Sequence, residues 1–381
     1  MKHQKFRSYS LLTVFLAIIA FPLINAALGL VTDIKSFENR ALAPRPVFDV
    51  EHLDPFPAQY EKYFDDRFSI RSRMVRWFSF YNIDLLKKSP MPGHVIIGSH
   101  GWLFSAGPEQ DSYIGRNAFK PEQLREIKQE LEYRQRYLAE RNIKFYVLIA
   151  PAKPNIYSEY MRAEEYKLSP LGWGEQLVAY LNANCSVKPV NIYDLLREHK
   201  APYDLYYQLD NHWNSVGALY ASNAAIDRIH QDFPQVTHLP VSDYTIKRIP
   251  AKTEGNIQQM LGVKIYDGHD YEVNPKGGFK AQEASNAGYK PPAWFPYPWI
   301  YEQTMEIKDS KLPHILVISD SFGDKLFPLL AENFGRSVKI FDGWEYKLND
   351  DIVNNEKPDI VLLLMHEPII PNFLQHQSRP R

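Results

Sequence analysis

The chain has 381 residues, 45% apolar and 23% charged, a globular composition with room for a large core that excludes both a disordered chain and a multi-span membrane protein. Its 44 basic and 45 acidic residues leave a net charge of -1, and the lack of a basic tract excludes nucleic acid as a partner, because clustered Lys and Arg supply that affinity. The single cysteine, Cys185, excludes an intramolecular disulfide and a cysteine-based structural metal site, while leaving the compartment open.

Lys2, Lys5 and Arg7 precede an uncharged, mostly apolar run from Leu11 to Val31. That is about the ~20 residues a helix needs to cross a bilayer, and the basic flank predicts a cytoplasmic N-terminus. Residues 1–31 therefore read as a signal anchor. Ile24-Asn25-Ala26 is a passable cleavage site, so a signal peptide is the competing reading. Either one exports the rest of the chain. Residues 32–115 read as linker and lead-in. The segment Glu38-Asn39-Arg40-Ala41-Leu42-Ala43-Pro44-Arg45-Pro46 should be extended, since proline disfavours helix in the residue before it. From Tyr60 to Phe80, aromatics alternate with charges in an amphipathic helical pattern broken near Ser69. Gly98–Phe104, with Gly101-Trp102-Leu103-Phe104, reads as the start of the sheet-bearing core.

The core proper is expected over 116–381. Leu124, Ile127, Leu131 and Leu138 form one helical stripe between Lys120 and Arg141, opened by Pro121; Arg134 interrupts it, its stem able to lie on apolar surface while its head reaches water. Ile143–Ala150 reads as a buried strand. Helices are predicted at Gly172–Ala183 and at Ser215–His230, the latter capped by Asn214 or Ser215. Val190–Leu196 is a weak strand leading into helix. Ile315–Ser319 and Ile360–Met365 are two more buried strands, and residues 240–305 read as a loop-rich insertion. Buried strands alternating with helices predict an α/β fold with a mostly parallel sheet, whose ligands sit at the carboxyl ends of its strands.

Two motifs fall at such ends: Asp210-Asn211-His212-Trp213 and Ser319-Asp320-Ser321-Phe322-Gly323-Asp324. Acyl transfer needs a hydroxyl nucleophile, an imidazole to take its proton and a carboxylate to orient the imidazole; Ser321, His212 and Asp210 supply one each. Backbone N–H groups opening the helix after Ser321 could face a developing oxyanion, and Gly323 could let substrate approach the backbone. Taken singly the motifs are ambiguous: a serine after a strand is often a helix cap, and Asp-x-His can be a structural pair or half of a metal site. His366-Glu367 offers the only nearby third ligand and reads better as a groove wall, so neither a metal nor a cofactor is expected. Lys153, in the turn Pro151-Ala152-Lys153, faces either an acidic polymer in the cleft or solvent. Trp213 and Tyr157 floor a sugar site or pack in the core, and Asp320 bonds local backbone.

These pieces, together with Pro44, the Tyr63–Arg71 segment, Gly217 and Gly255-Asn256, occur in the order of a known family. The chain resembles, over nearly its whole length, the AlgX/AlgJ-like alginate (exopolysaccharide) O-acetyltransferases of the SGNH hydrolase-like superfamily. The resemblance implies a three-layer α/β domain behind one N-terminal transmembrane helix, with Asp210 as orienting carboxylate, His212 as general base and Ser321 as the residue that becomes acetylated. It also implies a polysaccharide acceptor, a membrane-bound partner that supplies acetyl groups, and a place on the periplasmic side of the inner membrane, or in the periplasm after cleavage. Asp-x-His precedes the serine, as in this permuted family, while Ser319 replaces the usual glycine of Gly-Asp-Ser. Little chain follows the last strand, which leaves no room for the carbohydrate-binding module some members append. A polysaccharide acetylesterase with the same triad, or a noncatalytic polysaccharide-binding or assembly subunit, would carry the same residues.

Overall fold

The structure, a computed structural model, describes residues 2–34, 42–51, 53–162, 165–342 and 344–378. The Glu38-Asn39-Arg40-Ala41 part of the expected linker lies outside them. Two compact units emerge, one of Met1–Pro92 with Gln258–Ile265, the other of Gly93–Ile257 with Tyr266–Arg381.

In the first unit, α1 (Lys2–Leu28) contains a 22-residue stretch, Arg7–Leu28, of mean hydropathy 2.4. At ~1.5 Å per residue it is long enough to cross a ~30 Å hydrocarbon layer. Next come α2 (Pro55–Arg67) and α3 (Arg71–Phe80), separated at the expected break. Phe68 is extended there and Ile70 takes a left-handed φ of 66°, which no continuous helix accommodates. Asp33 accepts from the Ser72 and Arg73 N–H groups, satisfying donors that the start of α3 leaves open.

The second unit opens with β1 (Val95–Ile97), β2 (Leu103–Ser105), α4 (Pro108–Ile114) and α5 (Pro121–Ala139), then β3 (Lys144–Ala150), α6 (Lys153–Ile156), α7 (Trp173–Asn184), α8 (Tyr193–Glu198) and α9 (Ser215–His230). It continues through β4 (Tyr244–Pro250), the start of α10 (Asn256–Met260, counted with the first unit from Gln258), β5 (His269–Pro275), β6 (Gln282–Glu283), β7 (Glu302–Glu306), β8 (His314–Ser319), α11 (Gly323–Ala331), β9 (Arg336–Phe341), α12 (Asp350–Glu356), β10 (Ile360–His366) and α13 (Ile370–Gln375). Thus β1, β2 and α4 fall inside this unit, upstream of the boundary expected at residue 116.

Six strands form a mixed sheet in the order β3-β10-β8-β9-β7-β6. The first four run parallel, with Leu363 opposite Val147 and Ile318; β7 and β6 add antiparallel at the other edge. All seven residues of β10 are buried. Because successive side chains point to opposite faces, both faces of the sheet are covered there, and the near-continuous apolar run follows from that. This is an α/β fold on a mixed, mostly parallel sheet.

Three expectations change, and one strand of the sheet was not anticipated. Gly98–Phe104 does not start the main sheet: β1 and β2 pair only with each other. Residues 240–305 are more ordered than a loop-rich insertion, holding the β4–β5 hairpin and β7, which joins the sheet beside β9. β9 itself carries Arg336, Ser337 and Lys339, and those polar residues hid it from an apolar-run reading; Lys339 is buried by its ion pair with Asp324 at 2.5 Å. Finally, the Arg134 head does not reach water. It is fully buried against Glu130 at 2.7 Å, bonds the Tyr346 carbonyl and lies 4.6 Å from the Phe373 ring.

Candidate active site

The nucleophile end is a turn built by Asp320. After β8, its Oδ1 accepts from the Phe322 N–H at 2.8 Å, and its Oδ2 accepts from the His366 N–H at 2.8 Å and from the Tyr346 hydroxyl. The Gly323 N–H bonds the Asp320 carbonyl and the Asp324 N–H the Ser321 carbonyl, so the chain enters α11 with Ser321 at the crest. The expectation that these N–H groups face an oxyanion is therefore corrected, since those of Phe322, Gly323 and Asp324 are already bonded within the turn. Asp320 does bond local backbone, and it also ties the turn to β10.

His212 and Asp210 lie on the loop between Tyr206 and Trp213, which bridge each other across it. The loop leads into α9, where the Asn214 side chain accepts from the Val216 and Gly217 N–H groups, as a cap should. α9 packs against α11. Each motif precedes one of these neighbouring helices, and their packing closes the 109 positions between His212 and Ser321.

His212 Nε2 lies 2.8 Å from Ser321 Oγ, and Nδ1 lies 2.7 Å from Asp210 Oδ1. Asp210 Oδ1 also accepts from the His212 N–H at 3.0 Å, and Oδ2 accepts from the Asn256 N–H at 2.9 Å. Burial would raise the Asp210 pKa, but the hydrogen bonds and charge of His212 together with the Asn256 N–H prevail and bring it down to about 2. Burial would likewise lower that of His212; the Asp210 hydrogen bond and charge outweigh it and raise it above 6.5. The carboxylate is thus placed to stabilise the imidazolium that forms when His212 takes a proton.

Asn256 was missed as a site residue, although Gly255-Asn256 stood among the ordered motifs. Gly255 has φ +78°, and a Cβ there would meet the Leu209 carbonyl oxygen at 2.5 Å. Only glycine brings the next N–H onto Asp210 by this path. The three side chains open on a cleft of about 340 Å³ whose walls include Gly255, Asp270 and Lys325. Among the described residues no cluster of three His, Cys, Asp or Glu side chains could hold a metal ion.

Two buried charge groups underpin the loop. Lys153 Nζ donates to the carbonyls of Tyr207 at 3.1 Å, Gln208 at 3.2 Å and Asp210 at 2.7 Å. Glu109 Oε1 accepts from the Asn211 amide at 2.8 Å. Burial lowers the Lys153 pKa and raises that of Glu109, against the attraction between their charges. Below them Glu367 accepts from Ser112 Oγ at 2.6 Å, the Gly174 N–H at 2.8 Å, the Ala152 N–H at 2.9 Å and the Asn155 amide at 3.0 Å.

The residues expected to touch substrate are placed otherwise. Lys153 is fully buried, its head used by the three carbonyls, so it contacts neither polymer nor solvent. Tyr157 is buried beneath Trp102 at 4.3 Å, its hydroxyl accepting from the Leu205 N–H. His366 is no groove wall: Phe322 stands between it, at 4.0 Å, and His212, at 4.9 Å. Gly323 serves close packing on Ser319, which a Cβ would overlap, rather than substrate approach. Trp213 lies at the base of the cleft, but its ring is wholly buried and its indole N–H bonds the Phe322 carbonyl at 3.0 Å.

Comparisons with known proteins agree with this architecture. Residues 95–284 match the family described as SGNH hydrolase-like domain, acetyltransferase AlgX. Among solved structures the chain is similar to Bacillus cereus PatB1, at 19% identity and a TM-score of 0.52, covering 72% of this chain and 95% of that one. PatB1 with a sulfonyl adduct gives 17% identity, the same score, and coverage of 72% and 96%. The O-acetyltransferase domain of Pseudomonas putida AlgJ is 18% identical with a TM-score of 0.48, covering 73% of this chain and 92% of that one. At these identities the PatB1 likeness shows a shared fold. Comparison with curated protein sequences returns no match.

Proposed function

From the premise that the chain belongs, through residues 95–284, to the family of SGNH hydrolase-like domains of acetyltransferase AlgX, we propose that it is an O-acyltransferase that moves acetyl groups through Ser321 to glycan hydroxyls. The observation that carries this reading is His212 spanning Ser321 and Asp210, at 2.8 and 2.7 Å, in an open cleft. In the first half-reaction Ser321 Oγ attacks the donor's acetyl carbonyl while its proton passes to His212 Nε2. The donor's leaving group then takes that proton, and an acetyl ester remains on Ser321. In the second, neutral His212 accepts the proton of a glycan hydroxyl as that oxygen attacks the ester. The acetyl group leaves on the glycan, and the proton returns to Ser321. Asp210 stays ionised throughout, holding the imidazole's orientation and stabilising its charged form.

An uncleaved α1 would tether the domain to the outer face of an inner membrane, beside a polysaccharide in export and a membrane-bound partner supplying acetyl groups. Water reaching the same cleft would make the enzyme an esterase. Incubating the detergent-solubilised full chain with an aryl acetate, with and without a mixed oligosaccharide acceptor, separates these fates. Intact-mass detection of an acetyl group on the wild type and none on Ser321→Ala is expected, followed by acetylated oligosaccharide. Free acetate alone would identify an esterase, and an unlabelled wild type would leave only a binding role.

A further inference from the structure

Helix α3 and the π-helical turn that follows it, Tyr81–Leu85, have one face covered and one face bare. Ser79 and Ile83 are buried, and Ser79 Oγ donates to the Leu261 carbonyl at 2.7 Å. On the other face Met74, Trp77, Phe78, Tyr81 and Leu85 recur at steps of three and four residues, which aligns them in one stripe. Their exposure runs from 41% at Met74 to 66% at Leu85, with Trp77 at 65%. Single exposed apolar side chains are ordinary, but an aligned row of five this open marks a surface that something covers.

Where the helix begins indicates what covers it. On α1 the side chains of Leu11, Phe15, Ile18 and Leu23 are all more than half exposed, as on a helix whose surroundings are lipid. Just past its last residue, Leu28, the chain is turned by the Asn25 side chain, which accepts from the Val31 N–H at 2.6 Å and donates to the Val31 carbonyl at 2.9 Å and to Ser69 Oγ. The next two residues hold α3. The Thr32 carbonyl accepts from Arg73 Nε at 2.8 Å, and Asp33 accepts from the Ser72 and Arg73 N–H groups at 3.1 Å each. The first turn of α3 is therefore fixed within a few residues of the end of the span, at the level where a bilayer gives way to water. A stripe that continues to Leu85 is used in full only if the helix runs along that surface rather than away from it.

Charge agrees with this placement. Residues 71–88 hold five basic side chains, Arg71, Arg73, Arg76, Lys87 and Lys88, and one acidic, Asp84. Basic residues flanking an apolar stripe suit anionic headgroups, and Trp and Tyr favour the headgroup level, where one part of the ring system is apolar and another wet.

We propose that α3 and the turn after it lie in the outer interface of the membrane that α1 crosses, with Trp77, Phe78, Tyr81 and Leu85 below the headgroups, so that the chain meets the bilayer at two points. The proposal takes the level of α3 from the anchor reading of α1 and is independent of the chemistry at Ser321.

The test is spin labelling of the full chain in nanodiscs of phosphatidylethanolamine and phosphatidylglycerol, one cysteine introduced at a time, Cys185 being buried and shielded from the label. Nitroxides at Trp77→Cys, Tyr81→Cys and Leu85→Cys should collide with dissolved oxygen at least about threefold more often than with a water-soluble nickel chelate, and one at Arg76→Cys, off the stripe, should show the reverse. Adding Trp77→Glu and Phe78→Glu should return the Leu85→Cys label to water, with circular dichroism confirming unchanged helix content. Stripe labels that meet the nickel chelate freely overturn the proposal, and labels shielded from both reagents overturn it in favour of a protein covering the stripe. A label at Ile18→Cys reports on α1 separately. Lipid at Ile18 with water along the stripe removes this proposal and keeps the span; water at Ile18 with lipid along the stripe removes the span and keeps the surface contact. Aryl acetate turnover in the same discs follows the transfer reading by itself.

Discussion

The ends of β8 and β10 are neighbours in the sheet and look alike in sequence, each a buried apolar run followed by polar residues. After β8 the chain presents Ser321 to a cleft; at the end of β10 it buries His366 and Glu367. The difference lies in what packs beyond each strand. Glu367 is enclosed by α4, the start of α6 and the start of α7, whose donors converge on its carboxylate. Beyond β8, Asp320 takes the Phe322 and Gly323 N–H groups of the turn, and the loop carrying His212 meets Ser321 at the edge of the cleft. A polar strand end becomes chemistry only where no other element roofs it.

Substitutions at the two ends should separate along that line. Ser321→Ala is expected to cut acetyl transfer by about 10⁴-fold or more while leaving the unfolding midpoint close to wild type, read from aryl acetate turnover and a denaturant titration. Retained turnover would place the nucleophile elsewhere. Glu367→Gln should do the opposite, setting amide hydrogens against converging donors at a cost of about 3 kcal/mol, with turnover per folded molecule preserved. An unchanged urea midpoint would show that the β10 end is not structural.

A pH profile sharpens the contrast. Only neutral His212 can accept the Ser321 proton, and Asp210 raises its pKa, so kcat/KM should fall as pH drops through a value above 6.5. In Asp210→Asn the largest raising partner is gone, leaving the weaker charges of Asp320 and Glu109 against burial, so the limb should move to lower pH in whatever activity remains. A limb that stays put would mean that Asp210 does not set the imidazole. The smallest effect belongs to His366. Buried neutral, with Nε2 unpartnered among the described residues, it should accept Phe for about 1 kcal/mol or less and with an unaltered pH profile.

Much of the site was legible because chemistry restricts residue type. A hydroxyl, an imidazole and a carboxylate at two predicted strand ends pointed to Ser321, His212 and Asp210, and the structure brings all three together. The proposed contacts Lys153, Tyr157 and His366 were another matter. Lysine, tyrosine and histidine serve equally in a cleft or under one, and local sequence carries no record of which side a later element covers. Strands showed the same divide: the apolar β3, β8 and β10 could be read directly, while β9 was masked by Lys339, whose burial depends on Asp324 fifteen positions earlier.

By itself, then, the sequence determined the apolar N-terminal helix, the alternation of buried strands with helices, and the three residue types able to support acyl transfer, since each follows from periodicity or from side-chain chemistry. Only the tertiary structure decided which strand end stays open, that Lys153 turns inward to hold the Asp210 loop, and that Asn256 completes the carboxylate's hydrogen bonds. Those outcomes depend on packing between segments far apart in the chain, and burial, unlike reactivity, is a property of the neighbours rather than of the residue.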